Sequence, residues 1–258
     1  MSARYVKEVR IRQMGEEASA VRQAGGQPRQ GQPLPGLLIV FEGLDASGIS
    51  GQVARLTEAI KAHGGRAAKT KQPSDGPLGA LLRLVLQRRL TYARAEDDDP
   101  APAIEPTTVA MLYAADRLDH LVNEVEPRLA RGIHMVCDRY VLSNLAYQGI
   151  DVEREWLRQI NAQARHADIT FFLSVPPEQS SQQIAERQRH GYSKELFEDQ
   201  VKLEKVWRNF QELIVEEQAA GRQVEVVDGS QTADTIHQQI RDRVLAIITE
   251  REAQKQER

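Results

Sequence analysis

From Leu37 onward, short apolar runs alternate with longer stretches in which apolar residues return every three or four positions. "LLIVF" (37–41), "RAAKT" (66–70), "IHMVC" (133–137), "ITFFLSV" (169–175) and "VEVV" (224–227) read as strands. Such near-continuous apolar runs, bounded by polar segments, suit strands covered on both faces. After the first run, Val53, Leu56 and Ile60 share one helical face that ends at "HGG", where a glycine can take the left-handed conformation that stops a helix. "TTVAMLYAADRLDHLVNEVEPRLARG" predicts a long helix capped by Thr107 or Thr108 and bent or broken at Pro127. Further helices are predicted over 194–220 and from Thr232 towards the C-terminus, with residues 250–258 fraying. Strands alternating with helices define an α/β domain, 36–249, on a mostly parallel five-stranded sheet.

Composition narrows the picture by exclusion. Residues 1–35 end in a Gly/Gln/Pro-rich run that buries little and reads as a flexible extension. The acidic, proline-rich "RAEDDDPAPAIEP" (94–106) reads as a solvated loop rather than a metal site at Asp97 to Asp99. A formal net charge of −3 gives no overall pull towards nucleic acid or an anionic membrane, so any polyanion site is local. The single cysteine, Cys137, excludes a disulfide within the chain and reads as a core residue. No apolar run reaches the length of a membrane span, and the cytoplasm is the expected location.

Chemistry enters at "FEGLDASGISGQ" (41–52). A phosphate-binding loop reads G-x-x-x-x-G-K-[ST], and Gly43, Gly48 and Ser50 keep that spacing. Backbone N–H groups of such a loop, with the positive end of the next helix, hold phosphate oxygens whatever the side chains are. The lysine that brings a mobile positive charge is replaced by Ile49, and Gly51 replaces a second hydroxyl residue. Taken alone, the stretch fits a tight strand-to-helix turn that binds nothing equally well. Elsewhere, Asp138 and Arg139 follow a buried strand, which places a carboxylate and a guanidinium at the sheet's carboxyl edge, where ligands of open α/β folds bind. Tyr113 and Arg117, four apart on one helix, share a face.

"TKQPSDGPLG" (70–79), "LYAADRLDH" (112–120), "CDRYVLSNLAYQG" (137–149), "FFLSVPPEQSSQQIAERQ" (171–188) and "VVDGSQTADTIHQQI" (226–240) occur in the order seen in thymidylate kinases, and the chain resembles that family over roughly Leu37 to Ile248. The resemblance implies a three-layer P-loop fold with a helical lid near 186–196, and phosphoryl transfer from ATP, with Mg²⁺, to dTMP or a related deoxynucleotide by a homodimer. It implies donor-phosphate contacts from Gly43, Ser47, Gly48, Ile49, Ser50 and Gly51. Asp45, Arg139 and the lid residue Arg187 become catalytic candidates. Ser50, Asp45 and, through water, Asp138 become metal candidates. Pro73, Tyr113, Arg117, Arg139, Ser143, Asn144 and Tyr147 become acceptor contacts, with Tyr113 stacked on the base, Arg117 on its edge and Tyr147 crowding the 2′ position. Residues 228–232 fall beside the donor adenine. The family commonly reads "T-R-E-P-G-G" where this chain has Lys71, Gln72, Pro73, Ser74 and Asp75, so an acid has become an amide and two glycines are gone. Three readings remain open: a kinase in which Lys71 or a lid arginine replaces the missing charge, a catalytically impaired nucleotide-binding pseudokinase with a regulatory role, and a kinase with altered donor or acceptor.

Overall fold

In the computed structural model all five apolar runs are strands: β1 (Leu38–Gly43), β2 (Ala67–Lys71), β3 (His134–Asp138), β4 (Ile169–Ser174) and β5 (Val224–Asp228). They form one all-parallel sheet in the order β2-β3-β1-β4-β5. The structure describes residues 34–87, 89, 104–189 and 200–256. The expectations for residues 1–33, for the acidic stretch through 103 and for the part of the lid from 190 to 196 lie outside it. Residues 35–258 make one compact unit.

β1 is buried along its whole length, and its alternating side chains feed two different cores. Ile39 and Phe41 pack with Phe171 and Leu173 of β4 under α1 (Ile49–Ala62) and α9 (Ala233–Gln256), joined by Val53, Leu56 and Ile60 from α1 and by Ile236, Ile240 and Val244 from α9. Leu38 and Val40 face the other way, towards Leu121, Val125 and Leu129. At about 1.5–3 kcal/mol for each fully buried aliphatic side chain, the α1 face anchors the start of that helix against the end of β1. Gly64, with φ 93°, lies just past the helix end, as the "HGG" pattern predicts.

The opposite layer carries α2 (Pro77–Leu86), α3 (Pro106–His120), α5 (Val141–Gln148), α6 (Arg154–Asn161), α7 (Pro177–Arg189) and α8 (Gln200–Ala219). Its core joins Leu82, Ala110, Leu145, Phe172, Phe210 and Leu213. The start of α3 differs from the expectation, because Glu105 rather than Thr107 or Thr108 is the cap: its carboxylate accepts from Thr108 N at 3.1 Å, and Pro106 fills the first helical turn, where no N–H is needed. The helix also does not break at Pro127. It passes through a π-helical stretch, Leu121–Val125, into α4 (Glu126–Ala130), whose first turn accommodates the proline. α9 runs from Ala233 through Gln256, with Ile248 still buried.

Register brings the carboxyl ends of β2, β3 and β1 together. Asp138, last in β3, stands opposite Phe41 of β1 and opposite Lys71 of β2. The loop after β1 and the segment after β2 therefore both open beside Asp138.

Candidate active site

The loop from Gly43 to Ser50 is shaped by backbone conformations that few residue types take easily. Gly48 is left-handed, φ 87°, and starts α1 with no side-chain cap and no acid in the first turn, so the helix's first N–H groups and its positive end are open to an anion. A Cβ at Gly43 would meet Ser47 Oγ at 2.9 Å and Leu173 O at 3.0 Å. Ala46 is held at φ 64° without a glycine's freedom. Ser47 Oγ is buried with no hydrogen-bond partner, a polar atom available inside the loop.

Ile49 does not stand over this loop. It is 5% exposed and belongs to the apolar core under α1, with its Cδ1 near the end of β1. The lysine's place in the sequence is thus filled by a side chain that serves packing. Among the described residues lining the cavity beside the loop, the cationic ones are Lys71, Arg83, Arg117 and Arg139, all on elements other than the loop and α1.

That cavity, about 410 Å³, is lined by the loop from Leu44 to Gly51 and by Lys71, Pro73, Tyr113, Arg117, Asp138, Arg139, Asn144 and Tyr147 among others. The candidate residues for donor and acceptor therefore share one opening. Arg139 sits at its centre with φ 66°, its Nη2 donating to Asp45 Oδ1 at 2.6 Å and its Nη1 to Gly43 O at 2.8 Å, Ser143 Oγ at 3.2 Å and Tyr147 Oη at 3.5 Å. Burial works against its charge, but Tyr147, Asp45, Asp138 and Glu42 outweigh burial and hold its pKa above the usual value. One guanidinium thus links the phosphate loop to α5. Ser50 Oγ donates to Asp138 Oδ2 at 2.5 Å, pairing a hydroxyl and a carboxylate at the helix start.

Sequence reasoning passed over Glu42. Fully buried, it accepts from Tyr140 N at 3.0 Å, from Ser143 N at 3.2 Å and from the Ser143 hydroxyl. Burial pushes its carboxyl pKa up, against those hydrogen bonds and the nearby Arg139. Glu42 fastens the start of α5 to the end of β1, and so fixes the turn that carries Arg139. Ser143, one of the expected acceptor contacts, lines the cavity with its hydroxyl engaged by Glu42 and Arg139.

Arg117 is 1% exposed and nearly saturated. Its Nε donates to Gln72 Oε1 at 2.9 Å, Nη1 to Asn144 Oδ1 at 3.1 Å and to Asn161 Oδ1, and Nη2 to Tyr140 O at 3.3 Å. One Nη2 hydrogen is left over from this set, which suits a single contact to a ligand's edge rather than a grip on a phosphate. Asn144 Nδ2 donates to Gln148 Oε1 at 2.7 Å, while Gln148 Nε2 is buried, unpartnered and on the cavity lining. Gln148 was missed, although it lies in the quoted "AYQG", because only the structure shows a polar atom left without a partner. Asp116, also missed, accepts from Ser74 N at 2.8 Å and Ser74 Oγ at 2.5 Å and thereby pins the turn after Pro73. This gives a use to the serine that stands where the family has glycine. Cys137 is buried, its thiol pKa pushed well up by burial, which fits a core residue. The side chain of Arg187 lies outside the described residues.

A hard divalent cation that keeps most of its water needs one or two oxygen ligands from protein and takes the rest from phosphate. Ser50 Oγ and Asp138 Oδ2 provide such a pair. Among the described residues no group of three or more His, Cys, Asp or Glu side chains could form an all-protein metal cage. The donor set therefore fits Mg²⁺ bound with a nucleotide.

A parallel sheet in this order, a glycine turn between β1 and α1, and a cleft beside it lined by Arg83, Arg117 and Arg139 match a P-loop phosphotransferase of the nucleoside monophosphate kinase type. The family model described as thymidylate kinase matches residues 41–240. A "Probable thymidylate kinase" of Thermococcus kodakarensis is 32% identical over 207 residues, covering 79% of this chain and 95% of the relative. A "Thymidylate kinase" of Xanthomonas oryzae pv. oryzae is 32% identical over 217 residues, covering 84% and 86% respectively. The chain belongs to the thymidylate kinase family.

Proposed function

We propose that this protein transfers the γ-phosphoryl group of ATP to a deoxynucleoside monophosphate, dTMP being the first choice of acceptor. The observation that carries the reading is the shared cavity: Tyr113, Arg117, Asn144, Gln148 and Tyr147 line it together with the loop and Ser50, and Arg139 bonds both to the loop and to α5. Tyr113, on the cavity lining, is the candidate to stack on a base. The spare donors of Arg117 and Gln148 suit the carbonyl oxygens of a pyrimidine. Tyr147, buried against Phe210 in an edge contact with centroids 6.1 Å apart, leaves little room at a sugar's 2′ position, which favours deoxyribose. Arg139 would exchange part of its contact with Asp45 for the acceptor phosphate, where a planar fork of donors fits best.

Ser50 and Asp138 would hold Mg²⁺, which when bound supplies neutralisation of the β and γ phosphate oxygens. Loop N–H groups orient the donor phosphates. Without an ammonium at residue 49, the loop lacks one preorganised charge, a loss of about 10²- to 10³-fold in rate for such a group. Arg187 and Lys71 are the candidates to offset it; Lys71 Nζ lies 3.0 Å from Asp75 on the exposed rim. A homodimer is the expected assembly. Leu81 and Leu84 of α2 and Met111 of α3 are exposed apolar side chains that a second copy would cover, and sedimentation of the full chain tests it.

A coupled assay of ADP release with dTMP, dUMP and other monophosphates tests the reaction, alongside calorimetry of dTMP binding. Turnover highest with dTMP supports the proposal. Measurable dTMP binding with no turnover on any acceptor would remove the catalytic reading, and no heat with any pyrimidine monophosphate would remove the pocket.

A further inference from the structure

We propose that His120 is a positioning residue for Arg117, acting through Gln72. The inference deepens the phosphotransferase reading above and rests on it. His120 ends α3, is 4% exposed, and is not itself one of the residues lining the cavity, although it contacts Gln72, which is. Its role follows from which atoms can donate and which can accept.

Arg117 Nε carries a hydrogen and can only donate, so the atom 2.9 Å from it on Gln72 must be the carbonyl oxygen. With the carbonyl so turned, Gln72 Nε2 faces His120 Nδ1 at 3.4 Å. An amide nitrogen can only donate as well, which requires Nδ1 to be bare and puts the ring proton on Nε2. That nitrogen lies 2.7 Å from Thr70 Oγ1, an atom able to accept it. A single arrangement of protons thus satisfies the chain from Arg117 through Gln72 and His120 to Thr70. Turning the Gln72 amide over would set its NH₂ against the Arg117 N–H, two donors face to face where Gln72 is 5% and Arg117 1% exposed and water cannot intervene.

The need for an orienting partner comes from the amide itself. A carboxylate offers an acceptor in either orientation, whereas Gln72 has one acceptor oxygen and one donor nitrogen. The residue type at 72 therefore creates a requirement that the imidazole meets. Around the ring, Glu124, whose Oε2 is 3.8 Å from Nε2, and Asp116 favour the charged form, while Arg128 and Arg117 oppose it. Burial outweighs these and lowers the His120 pKa, so the ring stays neutral, with the bare Nδ1 that the chain requires. Arg117 keeps its other bonds to Asn144, Asn161 and Tyr140 O, so loss of His120 should loosen the aim of the guanidinium without removing it.

A mutant cycle on the full chain, read as KM and kcat for dTMP, tests the proposal. His120→Leu removes the acceptor and is expected to raise KM for dTMP about tenfold, the scale of one buried donor left unpaired, with kcat within about twofold of the parent. His120→Asn, whose side-chain oxygen stands in for Nδ1, should stay within about threefold in KM. The discriminating arm is Gln72→Glu: in that background His120→Leu should change KM by less than about twofold, because a carboxylate needs no orienting. A merely structural histidine would cost the same in both backgrounds, and that result overturns the proposal, as does a silent His120→Leu. Thr70→Val, expected to raise KM about threefold, carries the test if His120→Leu does not fold, and an unchanged KM there counts against the chain. The same cycle read by calorimetry of dTMP binding separates the two readings: a protein that binds dTMP without turnover loses the proposed reaction, while the coupling between residues 72 and 120 is still measured.

Discussion

Ile49→Lys sets packing against chemistry at one residue. Ile49 is 5% exposed in the core under α1, and fully burying such a side chain contributes about 1.5–3 kcal/mol. A lysine stem can lie along the same path and retain part of that, provided the ammonium emerges at the loop. The expected net loss is on the order of 1–2 kcal/mol, which for a domain of this size is a fall of about 2–8 °C in Tm. In exchange, the ammonium would stand where donor phosphates meet loop N–H groups, a position for which restored charge is worth up to about 10²- to 10³-fold in kcat. Calorimetric melting and the coupled ADP-release assay should therefore move in opposite directions: Tm down, kcat with dTMP up at least about tenfold, and KM for dTMP within about threefold. Ile49→Met, which keeps the apolar volume without the charge, controls for packing and should leave kcat near the parent. An unchanged Tm would refute the burial of Ile49. A lowered Tm with an unchanged kcat would refute the inference that the loop otherwise holds the donor in a productive pose.

Ala46→Gly relieves a left-handed alanine, φ 64°, and should stabilise the protein by about 0.5–1 kcal/mol net of the glycine's extra unfolded-state entropy; a lower Tm would contradict it. Gly79→Ala places a Cβ 2.1 Å from Ser74 O, a backbone atom that cannot step aside cheaply, so α2 must shift away from the turn that Asp116 pins. The expected loss is about 3 kcal/mol or more with a raised KM for dTMP, and a neutral effect in urea unfolding would refute the close approach. His134, whose Nδ1 accepts from Leu37 N at 3.0 Å, has its pKa lowered to about 4, chiefly by burial and then by Arg251. Between pH 6.5 and 4 the unfolded chain therefore binds the extra proton, so stability falls as pH falls through that window, by on the order of 2 kcal/mol after allowance for partial exposure. His134→Asn keeps an acceptor without the titration and should flatten that slope, while parallel Tm–pH curves for the two proteins would sink the assignment.

The five strands were legible to within one or two residues at their ends, because strands covered on both faces read as near-continuous apolar runs. Even "RAAKT", polar at 66, 69 and 70, proved a strand, since β2 lies at the sheet's edge beside β3, with Lys69 exposed. The strand-to-helix turn at Gly43 to Ser50 was equally legible, because its glycine spacing answers to backbone geometry alone. What sequence could not decide is where side chains find partners. Ile49 reads as a missing charge until strand β1 and α1 place it in the core. Gln72 reads as a lost acid until His120, 48 positions away, is found beside its amide. Glu42, Asp116 and Gln148 gave no local signal, because burial and hydrogen-bond completion depend on elements brought together by the strand order β2-β3-β1-β4-β5. The short-range rules of chain stereochemistry fixed the elements and the loop, while the long-range register that sets Lys71 and Phe41 beside Asp138 decided which polar groups meet in one cleft.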